Sequence, residues 1–400
     1  MDLSLNEDQT ALSDLLGRIL SDRCPPERLR ELEAEPDWFA RDAWADLARA
    51  DLLGLCLPAA DGGGGYGFLE AALMLEQVGR VLAPVPLFAT LVLGALPVAE
   101  FGSDEQRRTL LDPVIAGDLV LTAALVEAGD GLPPAVPATS ARPDGSGGWV
   151  LDGEKELVPA AHLAGRILVP AATGDGSTTV FLVDPSADGV SIERQVSTNL
   201  EPLGTVRLAG ARLGADDVLG TVDGGAEIVD WITERAVAGL CALQAGVCEA
   251  ALRLTATYTS EREQFGAKIA TFQAVAQRAA DAYIDTEAVR LTARQAAWRI
   301  GEGLDAGDAV SVAKYWSAVG GQRVVHAAQH LHGGIGVDAN YPVHRCFRWA
   351  KHLELLLGGG TRHLVRLGEV LADRAPILSD ITSESRSAEN HRAPAQGSLG

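Results

Sequence analysis

Apolar positions change period twice along the chain. Near the start, Leu12, Leu15, Leu16, Ile19 and Leu20 recur at helical spacing behind Asn6, and Gln9 follows Asn6 by three residues, which predicts a capped helix. Trp38, Trp44, Leu47 and the run Leu52 to Leu57 extend the expectation of buried helices to about residue 118. From residue 119 to 222 the runs shorten: Leu119 to Val126, Trp149 to Leu151, Arg166 to Val169, Thr178 to Val183, Val190 to Glu193 and Val206 to Leu208 are β-prone and parted by Gly, Pro and Asp turns. Their spacing predicts a small barrel or sandwich. Helical period then returns. Ala236 to Cys248 carries no charge, whereas Glu227, Asp230, Glu234 and Arg235 precede it and Glu249 and Arg253 follow. At about 13 residues this run is too short for a bilayer and predicts a helix buried on all sides. Downstream, Val275, Ala279, Ala282, Val289, Ala293, Ala296 and Ile300 fall on one stripe interrupted by Thr286, with Arg278, Asp281, Asp285, Arg290 and Arg294 off it, the pattern of an amphipathic bundle helix.

The expected organisation is α+β: an N-terminal helical domain over residues 1–118, a middle β domain over 119–222 and a C-terminal four-helix bundle over 223–375. Residues 376–400 are rich in Ser, Ala and Pro with mixed charge and no period, and read as a disordered tail.

A hydrophobic share of 47% over 400 residues is enough for a large core in two or three domains. The net charge of −21 argues against nucleic acid or an anionic membrane surface as partner, so an anionic ligand needs local basic groups. The five cysteines form no Cys-x-x-Cys pair and read as buried thiols in a reducing cytoplasm. The first residues lack the basic and apolar runs of a secretory signal, and no membrane span is expected elsewhere.

Candidate chemistry gathers where the uncharged helix ends. Arg262, Phe265, Gly266 and Lys268 cluster at the break before the amphipathic helix. A planar, always-charged fork beside an aromatic ring and a glycine suits a phosphate or diphosphate, and it equally describes a solvated basic turn. Asp61 to Gly67 is glycine-rich but lacks the Lys-Ser/Thr ending of a P-loop, so it reads as a linker. His326, His330 and His332 share helical spacing, yet no carboxylate or cysteine stands in register, and no metal site is expected.

Glu261-Arg-Glu-Gln-Phe-Gly266, followed by Ile269 and Phe272-Gln273, resembles the signature of the acyl-CoA dehydrogenase family. His330-Leu-His-Gly-Gly-Ile-Gly336 with Arg345 and Arg348, and more weakly Gly153-Glu-Lys155 and Ala211 to Gly220, resemble further landmarks of that family. The resemblance implies FAD as cofactor and an acyl-CoA substrate. It also implies a nucleotide grip at Arg262, Phe265, Gln273, Gly333, Gly334 and Thr361 that reaches across a subunit interface, with His330 where the family has glutamine. On the flavin-ring side the likeness fails: Val126 and Val158 stand where hydroxyls hold the ring, and Glu156 stands where a packing aromatic is usual. The base fails too, because Gly359 and Leu243, with Gln244 beside it, occupy the places of the family's glutamate; Glu234 and Glu354 are the nearby carboxylates.

The pattern is similar to one subunit of the paired, heterotetrameric branch acting on steroid side-chain CoA thioesters, here the subunit that completes the nucleotide site. The expected partners are a homologous subunit and an electron-transfer flavoprotein or similar acceptor. The alternatives are a self-sufficient homotetrameric dehydrogenase using Glu234 or Glu354, and a non-enzymatic helical interaction subunit.

Overall fold

Asn6 caps the first helix reciprocally: its side chain accepts from the Gln9 N–H at 2.8 Å and the Gln9 side chain accepts from the Asn6 N–H at 3.0 Å. In the computed structural model, which describes residues 3–129, 131–174 and 176–373, this helix α1 (Glu7–Arg23) opens an all-helical region. It continues through α2 (Pro26–Ala34), α3 (Arg41–Arg49), α4 (Phe68–Val81), a π-helical turn (Phe88–Ala95) running into α5 (Leu96–Phe101), and α6 (Asp104–Ile115). Two expectations need correction here. Leu52 to Leu57 and Trp38 are not helical: Asp51 turns left-handed at φ 58° and stops α3, and Trp38 itself has φ 47°. Leu52, Leu53, Cys56 and Leu57 are nevertheless buried, so their apolarity reports the core and not a helix.

The middle region is a sheet of β1 (Leu121–Ala123), β2 (Ser140–Pro143), β3 (Trp149–Pro159), β4 (Arg166–Ala172), β5 (Thr178–Val183), β6 (Val190–Val196), β7 (Pro202–Leu213) and β8 (Val218–Leu219). Its path runs β6-β7-β3-β2-β4-β5-β8, with β1 parallel to β4. Trp149 on β3 meets Phe181 on β5 edge-on with centroids 5.5 Å apart. Three strand spacings in a flat sheet would hold them roughly 14 Å apart, so the sheet curls over its own core. No ladder joins β6 to β8 among the described residues, and the curl stays open there.

Every residue from Ala236 to Cys248 is buried in α7 (Gly225–Glu261), the helix the sequence marks as surrounded. Its length and apolarity match a membrane span, but 72% of its apolar window lies inside the protein, as befits a core helix. A short hairpin, β9 (Glu263–Gln264) and β10 (Ala267–Lys268), leads to α8 (Gln273–Gly301), α9 (Gly307–His332), α10 (Val343–Leu355) and α11 (Gly360–Asp373). The predicted α8 stripe is buried from Ala282 to Ile300, while its first two turns run past the bundle. The expected tail at 376–400 lies outside the described residues.

Candidate functional site

Arg262 leaves the α-helical range (φ −67°, ψ 127°) and ends α7; its N–H makes the last helical bond, to the Tyr258 carbonyl at 2.9 Å. The chain then reverses through Phe265 (φ 55°) and Gly266 (φ 78°), two left-handed residues that form the tight turn of the β9–β10 hairpin. Gly266 takes that conformation freely; Phe265 does so at a cost, and its ring is 96% exposed at the tip. Among the described residues Phe272 meets it edge-on, with centroids 6.3 Å apart. The Ile269 N–H closes the loop onto the Arg262 carbonyl at 2.9 Å. α8 then begins at Gln273 without a side-chain cap, so its first N–H groups face outward beside the exposed Arg262 and Lys268.

The glycine block lies at the end of α9. Gly333 (φ 63°, ψ −139°) terminates that helix, and a Cβ added at Gly333 or Gly334 would meet nothing within 4 Å, so this backbone is open to an approaching ligand. His330 is exposed on the last turn of α9, whereas His332 is buried and stacks on Tyr258 at 4.6 Å. Tyr258 lies one turn before Arg262, so the fold brings Arg262, Phe265, Gln273, His330, Gly333 and Gly334 to one end of the bundle. Thr361 stands apart: its neighbour Gly360 packs on Ala318 and Tyr315 of α9, roughly 18 Å along that helix from His330. Arg345 and Arg348 are engaged within the chain, Arg345 forking onto Glu33 at 2.7 and 3.0 Å and Arg348 donating to the Thr198 carbonyl at 2.7 Å. The Asp61–Gly67 loop is likewise engaged, with the Gly64 and Gly65 N–H groups donating to the Gly54 and Leu57 carbonyls at 3.0 and 2.8 Å. Among the described residues no group of His, Cys, Asp and Glu is arranged for a metal.

The opposite face of α7 meets the β domain. Val126 and Val158 are 6% and 1% exposed. The cavity beside Val126 is about 30 Å³, lined by Phe88, Leu157, Leu240, Leu356 and Leu357 among others, room for about one water. A register shift between Lys155 and Val158 throws Leu157 into a left-handed conformation (φ 54°) at the cavity wall. The opposite wall is pinned: Lys314, fully buried on α9, donates to the Leu353 carbonyl at 2.6 Å, and His363 Nε2 donates to the Leu357 carbonyl at 2.9 Å. Burial pushes the Lys314 ammonium down to about 8 and His363 down to about 4, so the His363 ring is neutral. Leu132 fills the space before Gly358, where an added Cβ would lie 3.0 Å from Leu132 Cδ2.

Among the described residues, neither carboxylate candidate lines this cavity. Glu234 is half-buried on the third turn of α7, 3.7 Å from Arg235; burial raises its pKa against the pull of Arg235 and Arg366. Glu354 is paired with Lys351 at 2.6 Å. The Lys314–His363 clamp and the His332 stack escape the sequence reading, although Lys314, a lone cation on the apolar face of α9, was a visible signal.

The nucleotide end therefore fits a dinucleotide's diphosphate: an exposed fork, an uncapped helix start and open glycine backbone. The ring end does not fit an isoalloxazine, which needs far more space than one water and hydrogen-bond donors that Val126 and Val158 lack.

Two family models match the helical regions on either side of the sheet. The family model described as acyl-CoA dehydrogenase, N-terminal domain, matches residues 6–118, and that described as acyl-CoA dehydrogenase, C-terminal domain, matches 223–371. Acyl-CoA dehydrogenase FadE27 of Mycobacterium tuberculosis is 38% identical over 383 residues, 93% of this chain and 99% of that protein. Among solved structures, the ChsE4–ChsE5 complex from Mycobacterium tuberculosis aligns with a TM-score of 0.88 at 38% identity, over 94% of this chain and 100% of that one. A variant of the Tcur3481–Tcur3483 steroid acyl-CoA dehydrogenase aligns with a TM-score of 0.85 at 42% identity, over 92% and 99%.

Proposed function

Because the chain belongs to the acyl-CoA dehydrogenase family, FAD-dependent oxidoreductases acting on CH–CH bonds, we propose that it completes the FAD nucleotide site of a homologous partner subunit. The assembly is a heterotetramer that dehydrogenates an acyl-CoA, with a steroid side-chain CoA ester as the substrate class. The observation that carries this reading is the contrast within one chain: the nucleotide end is open and the ring end is filled. Solved structures similar to this chain include a two-component complex and a steroid acyl-CoA dehydrogenase, which supports the paired arrangement.

In this reading Arg262 grips the diphosphate by charge-assisted hydrogen bonds, on the order of 1.5–3 kcal/mol. The first N–H groups of α8, beside Gln273, add their dipole. Phe265 enters the partner's surface, and Gly333 and Gly334 let the backbone approach, with His330 as a polar contact. Thr361, on the far part of α9's packing face, belongs to a separate contact. FAD supplies the hydride acceptor for α,β-dehydrogenation, and the partner supplies the base and the ring pocket, since Gly359 and Leu243 carry no carboxylate here. An electron-transfer flavoprotein or similar protein reoxidises the complex.

A self-sufficient enzyme has one observation in its favour, the raised pKa of half-buried Glu234 next to a cleft of about 240 Å³ lined by Asp230, Thr233 and Arg366. Removing a true general base costs roughly 10²–10⁴ in rate. Glu234→Gln and Glu354→Gln, assayed in the assembled complex at saturating acyl-CoA, are expected to leave turnover within a few fold. A hundredfold loss in either, with flavin retained, would transfer the base to this chain and refute the proposal.

A further inference from the structure

We propose that His332 is a positioning residue that locks the two halves of the nucleotide site together. This rests on the reading of that site as an FAD nucleotide grip. Arg262 and the Gly333–Gly334 backbone come from segments about 70 residues apart, and each adjoins one ring of a three-ring cluster. Tyr258 receives the last helical hydrogen bond from Arg262; His332 immediately precedes Gly333; Tyr341 closes the cluster from the far side of the turn. The His332 ring lies on Tyr258 with centroids 4.6 Å apart and planes 23° apart, and on Tyr341 at 5.1 Å and 55°, while Tyr258 and Tyr341 meet edge-on at 6.1 Å. These are the offset and tilted geometries that aromatic quadrupoles favour. Packing of α7 against α9 sets their separation. The stack fixes how the end of one is rotated against the turn that ends the other.

The histidine ring is fixed from its own helix as well. Nδ1 lies 2.7 Å from the Ala328 carbonyl, which makes Nδ1 the protonated nitrogen and leaves Nε2 a lone-pair acceptor. Nε2 is enclosed and has no partner among the described residues, and the residue is 3% exposed, so the ring is neutral and is retained despite an unsatisfied nitrogen. Burial, outweighing the bond to Ala328, depresses its pKa and favours that neutral form. A ring kept at this cost between the two binding segments has a geometric task.

The test is FAD titration of the assembled complex, read as flavin affinity. His332→Ala removes the stack and is expected to weaken FAD binding about tenfold or more. His332→Phe keeps a stacking ring without the nitrogen and is expected to bind within about threefold of wild type. Arg262→Ala weakens binding in the wild-type background. In the His332→Ala background it should cost several fold less, because a misplaced fork has less to lose. Tyr258→Leu breaks the same stack from α7 and should reproduce the coupling, which keeps the test open if His332→Ala fails to assemble. Wild-type affinity in His332→Ala, or independent multiplication of the His332 and Arg262 effects, would overturn the inference while leaving the nucleotide reading intact. A wild-type complex that takes up no FAD would overturn both.

Discussion

Lys155 has no solvent exposure, and its ammonium lies 2.6 Å from Glu127, whose carboxylate also accepts the Ala138 and Thr139 N–H groups at 2.6 and 3.0 Å. Burial pushes the Glu127 carboxyl up, but Lys155 and Thr139 outweigh it and hold it below the usual carboxylate range. The pair ties β3 to the loop after β1. Lys155→Met leaves a buried carboxylate unpaired and should cost about 3–5 kcal/mol of stability, measured by denaturant unfolding. His363 gives a pH dependence of known sign. Its folded pKa of about 4 lies below the ordinary value of 6.5, so the unfolded chain takes up the proton first. The stability that neutral His363 contributes is complete above pH 6.5 and is lost as pH falls from 6.5 toward 4, at about 1.4 kcal/mol per pH unit at most. His363→Gln should flatten that slope, and an unchanged slope would show that other groups set it. The Lys155–Glu127 pairing was not legible in the sequence, because it joins residues 28 positions apart in the chain. Val126, Val158 and Gly359 were legible because each is a single substitution within a recognisable motif.

Period carried the elements. Helices α7 and α8 follow the apolar pattern because a helix buried on all sides and one buried on a single stripe each leave a distinct 3.6-residue signature. Strands β2 and β8 went unseen: one has four residues and the other two, and pairing with β3, β4 and β5 creates them. The run Leu52 to Leu57 misled because continuous apolarity without period marks burial and says nothing of conformation. The outer face of α8 has its own consequence. Tyr283, Ile284 and Leu291 are exposed there, in line with Ala276 and Ala280 and continuous with Phe265 and Phe272 at the hairpin. On the proposed reading this apolar stripe faces a subunit, and an obligate interface buries on the order of 2,000–5,000 Å². Ile284→Asp should split the assembly in sedimentation without unfolding the chain, and an unaltered oligomer would place the interface elsewhere.

At the scale of the whole molecule, the chain joins two helical domains through a curled sheet and its two ends differ: one presents Arg262, Phe265 and Gln273 outward, and the other is closed by Leu157, Leu356 and Leu357. In the proposed reading that asymmetry sets the stoichiometry. A chain that only completes a partner's site binds no flavin by itself, and it contributes to one flavin per pair of unlike subunits. The direct measurement is FAD content, by absorbance after denaturation, of the purified chain and of its complex with the homologous partner. The account predicts essentially none for the chain alone and one FAD per pair in the complex. One FAD per chain, in the isolated protein or throughout the complex, would contradict it.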